Sequence, residues 1–291
     1  MACLTPKQRD PVVYAPFTVF KKTNGMNRIS LRWSLWALSF GALLTLPNCS
    51  GSQGLNLFSA DYDIELGQQV AAEIAADPKQ FPLLPEQGNE EVYRYVRGIA
   101  NTIVNSGKLT YKDKFAWQIK IIKDDKTLNA FCTPGGYIYV YTGLIKFLDS
   151  EDQLAGVLGH EIAHADLRHS TRQLTKVYGV SVLIDMVTKK GSSSTAGQIA
   201  TGLLNLNFSR EHEKEADAES VVYLCGSQYH ADGCAGFFKK MEGQGSGTPE
   251  FLSTHPNPGN RIEAIEKKAD ELKCTGNQSR TAEYQRIKKL L

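Results

Sequence analysis

The stretch "SEDQLAGVLGHEIAHADLRHS", residues 150–170, reads as a helix that carries polar chemistry into an apolar core. Ser150, followed three residues later by Gln153, is a capping-box signature that starts the helix near Glu151. Leu154, Val157, Leu158 and Ile162 recur at helical spacing, which makes this segment central to the core. His160 and His164 lie one turn apart, so both imidazoles leave the same face. Two nitrogens so placed suit one Zn²⁺ at about 2.0–2.1 Å each. Glu161 stands roughly 100° around the helix, where it can take a proton from an attacking water and pass it to a leaving group. An HExxH pattern also occurs by accident on solvated helices. Here "LAGVLG" precedes it and Ile162 and Ala163 interrupt it, so the polar groups are buried and a metal is the partner that offsets the cost.

A third ligand must come from elsewhere. His169 is nine residues past His160, about 900° of rotation on a continuous helix, and so faces the opposite side. It is expected at the surface or behind the ligands. The extended pattern HExxHxxGxxH is absent, since Leu167 and Ser170 stand at the positions it needs. Downstream, "SREHEKEAD" (209–217) is rich in acids and histidine, and Glu211, His212, Glu213 and Glu215 could each bind. Spacing alone does not choose among them, although Asp217, four residues past Glu213, could orient a ligand histidine from behind.

The chain has 291 residues, 42% of them hydrophobic, with a net charge of +2, a balance that gives no reason to expect nucleic acid as partner. Its first 49 residues differ from the rest. Basic residues dominate up to Arg32, and the uncharged run "WSLWALSFGALLTL" (33–46) is too short to span a membrane but suits a secretory signal. Met26 would begin a conventional signal of that kind. Leu46, three residues before Cys49, resembles a lipobox, although Pro47 and Asn48 are atypical of one. Lipidation at Cys49 would anchor an exported protein to a membrane, and a freely secreted protein is the alternative. Residues 50–60 read as a linker.

In the body, helices are expected over 61–76 and 90–107 and strands over 117–122 and 137–141, the second introduced by the turn "TPGG". After the HExxH segment the helix is expected to continue through "KVYGVSVLIDMV" to a flexible "KKGSSSTAG". Residues 275–291 read as a polar, basic tail. Among the cysteines, Cys225 and Cys234 flank a glycine-containing turn and could bridge, with single buried thiols as the alternative.

Four blocks in order, "NAFCTPGGYIYVYTGL", "LAGVLGHEIAHADLRHS", "SREHEKEADAES" and "STHPNPGNRI", resemble the M48 family of zinc metallopeptidases, a gluzincin group. The resemblance runs from about Asp61 to Lys273. It implies an α+β, predominantly helical, zincin-like fold with a small sheet beside the HExxH helix, in a domain spanning 61–274. It implies one Zn²⁺ per chain, held by His160, His164 and the acid that opens ExxxD, here Glu213, with Asp217 behind. Cys132 departs from the small apolar residue usual at its position. The chain is similar to the soluble, exported branch, often found as bacterial envelope lipoproteins, periplasm-facing and with the outer membrane as the mildly preferred anchor.

The reaction expected is hydrolysis of peptide bonds in unfolded or misassembled envelope proteins, with Glu161 as general base and acid. His255, in the stiff loop "THPNPGN", and Arg261 are candidate donors to the tetrahedral oxyanion. His255 could instead bind the zinc and hold the enzyme shut. Strand 137–141, with Gly136, Tyr137, Ile138 and Tyr139, is the expected platform for an extended substrate. The alternative from another class is a metal-stabilised envelope chaperone that binds clients without cutting them. Glu161, which such a protein does not need, favours the enzyme.

Overall fold

The computed structural model describes residues 56–177, 202–203, 206–243, 250–256, 259–277 and 280–291. The expected signal, Cys49, most of the linker and "KKGSSSTAG" lie outside the described residues. Helix α1 (Ala60–Ala76) is capped by Ser59, whose side chain accepts from the Tyr62 amide, and it buries Leu66, Val70 and Ile74. Helix α2 (Glu90–Val104) buries the stripe of Val92, Val96, Ile99 and Ile103. The chain turns away after it through Gly107, whose φ of 77° lies in the left-handed region that glycine tolerates.

Three strands follow: β1 (Gln118–Ile122), β2 (Ala130–Thr133) and β3 (Tyr137–Tyr141), in the order β1-β3-β2. β3 pairs parallel with β1 and antiparallel with β2, so "TPGG" closes a hairpin. β2 is not foreseen in the sequence, because four residues with one half-exposed position show too little alternation to register. Its existence changes the role of β3. The strand expected to receive a substrate is the middle of the sheet, with its backbone bonded on both sides, so Tyr137, Ile138 and Tyr139 cannot pair with another chain, and Gly136 lies in the turn before it with its carbonyl accepting from the Gln118 amide.

A short α3 (Thr142–Phe147) leads into α4 (Glu151–Asp166), the helix of the opening stretch. Ser150 caps it by accepting from the Gln153 amide, while the Gln153 side chain reaches back to the Asp149 amide. Every residue of α4 except Gln153 is buried. It packs on α2, on β2, and on two later helices, α5 (Arg210–Leu224) and α6 (Gly233–Glu242). Leu154, Val157, Leu158 and Ile162 have no exposed surface, each contributing about 1.5–3 kcal/mol from burial.

The expected helical continuation is interrupted, and its part beyond residue 177 lies outside the described residues. Helix α4 ends at Asp166, Arg168 takes a left-handed φ of 57°, and a separate helical run begins at residue 169. The Arg168 guanidinium holds the break by bonding the Asp63 carboxylate and, at 2.7 Å, the Phe58 carbonyl.

Helices α7 (Glu250–Thr254), α8 (Arg261–Glu271) and α9 (Thr281–Lys288) complete the described chain. The expected tail is a docked helix. Tyr284 and Ile287 of α9 are buried, the Tyr284 hydroxyl donates to the Ile145 carbonyl at 2.6 Å, and Arg280 bonds the buried Glu151 at the head of α4. Two apolar residues three apart are enough to seat it, but too few to stand out among its charges. Neither alternative for the cysteines holds in full: Cys225 pairs with Cys274, tying the end of α5 to the end of α8, and Cys234 is a buried free thiol. Among the described residues no helix is long and apolar enough to cross a membrane.

Candidate metal centre

Helix α4 delivers His160 and His164 with their Nε2 atoms 3.0 Å apart. Helix α5, capped by Ser209, delivers Glu213 opposite them. Its carboxylate oxygens lie 3.3 Å from His164 Nε2 and 3.5 Å from His160 Nε2. His255, at the end of α7, brings Nδ1 to 3.3 Å from His160 Nε2 and 3.2 Å from Glu213 Oε1. All four side chains are buried, and together they form a group able to hold one metal ion. Glu211 lies exposed, His212 stacks on His169 and Glu215 pairs with Arg172, so of the four residues left open by spacing Glu213 is the one grouped with the histidines.

The separations test whether a metal fits. Four ligands at about 2.0–2.1 Å from a tetrahedral ion stand about 3.3–3.4 Å from one another. The five ligand distances above run from 3.0 to 3.5 Å. The electrostatics agree. Glu161, Glu213 and Asp217 are all buried, and the one guanidinium, Arg261, meets only Glu213 and Asp217. Without an ion, burial opposes a charge on His160, yet Asp217 and Glu213 raise it to about 9. Burial and the neighbouring His160 hold His164 well below its ordinary value. Burial alone would raise Glu213, but His255, His160 and His164 hold its carboxyl well below the usual range.

Glu161 stands beside this group rather than in it. Neither of its oxygens meets a hydrogen-bond partner among the described residues, although His255 Nε2 lies 3.5 Å from Oε1. Burial pushes its carboxyl up, toward the proton-accepting range. The buried Cys132 thiol of β2 adjoins it, and burial, followed by the Glu161 charge, raises that thiol.

Behind the histidines, Asp217 Oδ1 is 2.9 Å from His160 Nδ1. Arg261 Nε and Nη2 donate to the two Asp217 oxygens at 2.7 and 2.6 Å, and Nη1 lies 3.0 Å from Glu213 Oε2. Arg261 is therefore committed to carboxylates, which corrects the expectation that it faces a substrate oxyanion. His169 lies behind the ligands, one of the two places expected for it, but it gets there by a different route. The break at Arg168 folds it back, and it is fully buried with Nδ1 2.9 Å from His164 Nδ1. Neither a glycine nor an asparagine at 168 advertises that break.

The His255 ring stacks on Phe251 at 4.3 Å, and Phe208 packs on both His164 and His255. The Phe208 amide donates to the Thr254 carbonyl, and the Phe251 amide to the Leu128 carbonyl just before β2. Helix α7 is thus pinned across the site.

Comparison with known proteins agrees with this architecture. Residues 87–269 match peptidase family M48. The chain is 30% identical over 225 residues to the mitochondrial metalloendopeptidase OMA1 of Schizosaccharomyces pombe, covering 75% of this chain and 64% of that protein. It is 26% identical over 248 residues to the beta-barrel assembly-enhancing protease of Yersinia pestis, covering 78% of this chain and 48% of that protein. Against the Escherichia coli protein of the same name, identity is 26% over 246 residues, with 79% and 48% coverage. The chain thus spans about half to two thirds of the length of these relatives. With the family match covering more than half of its residues, the chain belongs to peptidase family M48.

Proposed function

We propose that the chain is a zinc-dependent endopeptidase whose described form is held closed by His255. The observation that carries this reading is the buried set of His160, His164, Glu213 and His255 with the buried Glu161 carboxylate beside it. His160, His164 and Glu213 would hold a divalent ion, which would supply Lewis acidity for the reaction. Glu161 removes the proton from the attacking water and delivers it to the leaving amine. His160 and His164 are kept oriented from behind, and the buried walls exclude bulk water. Catalysis needs an open fourth position, so α7 must withdraw His255 before a peptide is cut.

An extended substrate is better served by β2 than by β3. The Tyr141 amide donates to the Asn129 carbonyl. By alternation, Phe131 and Thr133 bond β3, while the backbone groups of Ala130 and Cys132 face away from it. A peptide pairing along that edge lies beside Glu161 and is read mainly through its backbone, which suits unfolded or misassembled polypeptides. Export to a bacterial envelope is supported by the Cys225–Cys274 bridge, a feature of oxidising compartments, and by the signal-like residues 33–46. Lipidation at Cys49 would place it on the periplasmic side of a membrane, and the mass of the mature N-terminus tests this.

The central experiment is casein cleavage by the parent, Glu161→Gln and His255→Ala proteins, each with and without chelator. Parent activity is expected to vanish in chelator and in Glu161→Gln, and to rise in His255→Ala. Equal cleavage by the parent and Glu161→Gln refutes the enzyme reading and leaves client binding without cleavage. A fall in His255→Ala refutes closure by His255 and makes it a donor to the reaction.

A further inference from the structure

We propose that His169 is a positioning residue for His164, one link in a relay that ends on Glu215 and Arg172. The inference rests on the reading of His164 as a metal ligand. His164 Nε2 faces the other ligand atoms, 3.0 Å from His160 and 3.3 Å from Glu213. A neutral imidazole that ligates through Nε2 carries its proton on Nδ1 and needs an acceptor there. The atom that meets it is His169 Nδ1, at 2.9 Å.

Each tautomer then follows from the one before. His169 accepts at Nδ1, so it carries its own proton on Nε2, and that atom lies 3.1 Å from Glu215 Oε2. Arg172 Nη1 donates to the same oxygen at 2.7 Å. The His169 ring is held in plane by stacking on His212, with centroids 4.4 Å apart and an angle of 11°. None of these groups belongs to the ligand set.

The arrangement parallels the one behind His160, with one ring inserted. His160 bonds Asp217, which is clamped by Arg261; His164 bonds His169, which bonds Glu215, which is clamped by Arg172. Each helix histidine thus ends on a carboxylate neutralised by an arginine. The backbone break at Arg168 is what makes the second relay possible. On an uninterrupted helix, position 169 would sit roughly 140° away from position 164.

The test is zinc affinity of the full chain, measured by competition with a chromophoric chelator, together with the visible absorption of the cobalt-loaded protein. His169→Leu removes both links and should weaken zinc binding about 10–100-fold and alter the cobalt bands. His169→Asn places an amide oxygen where Nδ1 stands and should lose less than about tenfold, with near-parental bands. Glu215→Ala frees the outer end of the relay, should also weaken zinc, and replaces His169→Leu if that variant does not fold. Parental affinity and bands in His169→Leu or, where that does not fold, in Glu215→Ala overturn the relay alone. Equal losses in His169→Leu and His169→Asn also overturn it, since packing rather than hydrogen bonding would then be at stake. A parent chain that takes up no zinc overturns both the relay and the metal reading beneath it, whereas a parent that binds zinc but cuts nothing overturns only the peptidase reading.

Discussion

Replacing Arg261 by methionine should cost more than any other single change behind the metal centre. The guanidinium is 2% exposed, bonds both Asp217 oxygens at 2.6 and 2.7 Å, and lies 3.0 Å from Glu213 Oε2. Its carbon also sits 4.0 Å from the centre of the Phe238 ring. One pair of unit charges near 3 Å is worth about 5 kcal/mol at an effective dielectric constant of about 20. Methionine keeps much of the packing on Phe238, so the loss is chiefly electrostatic: two buried carboxylates lose the guanidinium and keep only the neighbouring His160 as a shared cation. Breaking a buried pair in this way costs about 3–5 kcal/mol, a large part of the 5–15 kcal/mol that usually stabilises a domain. The assay is urea unfolding followed by far-ultraviolet circular dichroism, first in chelator and then in saturating zinc. The variant should be about 3–5 kcal/mol less stable in chelator. Zinc should recover part of the loss, because the ion supplies a positive charge to Glu213 but none directly to Asp217. Arg261→Lys should recover only part, since an ammonium cannot make both parallel bonds to Asp217. A methionine variant within about 1 kcal/mol of the parent in chelator, below the cost of removing one partner of a buried ion pair, would refute the charge assignment.

Cys225→Ser combined with Cys274→Ser opens a loop with a sequence separation of 49. It should cost about 4 kcal/mol, read as a lower urea midpoint that reductant reproduces in the parent; coincident midpoints deny the bridge. Tyr284→Phe leaves the buried Ile145 carbonyl without its donor and should cost about 1–3 kcal/mol. Tyr284→Ala should cost about 3–5 kcal/mol, whereas a loose tail would tolerate both changes. Gly159→Ala puts a Cβ 2.6 Å from Ser220 Oγ and should cost about 1–3 kcal/mol. Adding Ser220→Ala should restore stability relative to Gly159→Ala alone; a further loss would show that the hydroxyl is not the obstacle.

What the sequence made legible was whatever depends on short-range geometry. The shared face of His160 and His164 follows from a four-residue spacing, and the stripe of α2 from residues three and four apart. Glu213 needed the family resemblance, because four residues on one short segment could each have reached the metal. The failures share a cause in long-range or backbone events. For His169 the placement behind the ligands holds and only the assumed continuous helix fails, because the left-handed Arg168 is fixed by Asp63 and Phe58, more than a hundred residues earlier. The cysteine reading weighed a bridge to the nearer partner against single buried thiols, whereas α8 returns its end to α5 from 49 residues away. Arg261 was read as facing the substrate because nothing local shows that Asp217 and Glu213 meet it first.

One legible feature carried more than its first reading. Gly156 and Gly159 precede the HExxH residues in a run that reads simply as apolar helix. A Cβ on Gly156 would stand 2.1 Å from the Cys234 amide nitrogen, and one on Gly159 would meet Ser220 at 2.6 Å. These glycines let α4 lie backbone-close to α6 on one side and α5 on the other. Ser220, which bonds the Gly156 carbonyl, lies seven residues beyond Glu213, two turns along nearly the same face of α5. The contact at Gly159 therefore sets the approach of α5, and Glu213 is carried about 10 Å farther along that helix to the liganding position. Any tilt introduced at the glycine contact is transmitted along α5 to the carboxylate. Separations near 3.3 Å among the ligand atoms leave little room for it. The small residues ahead of the motif thus belong to the metal site as much as the histidines do, because they set how close its second helix can come.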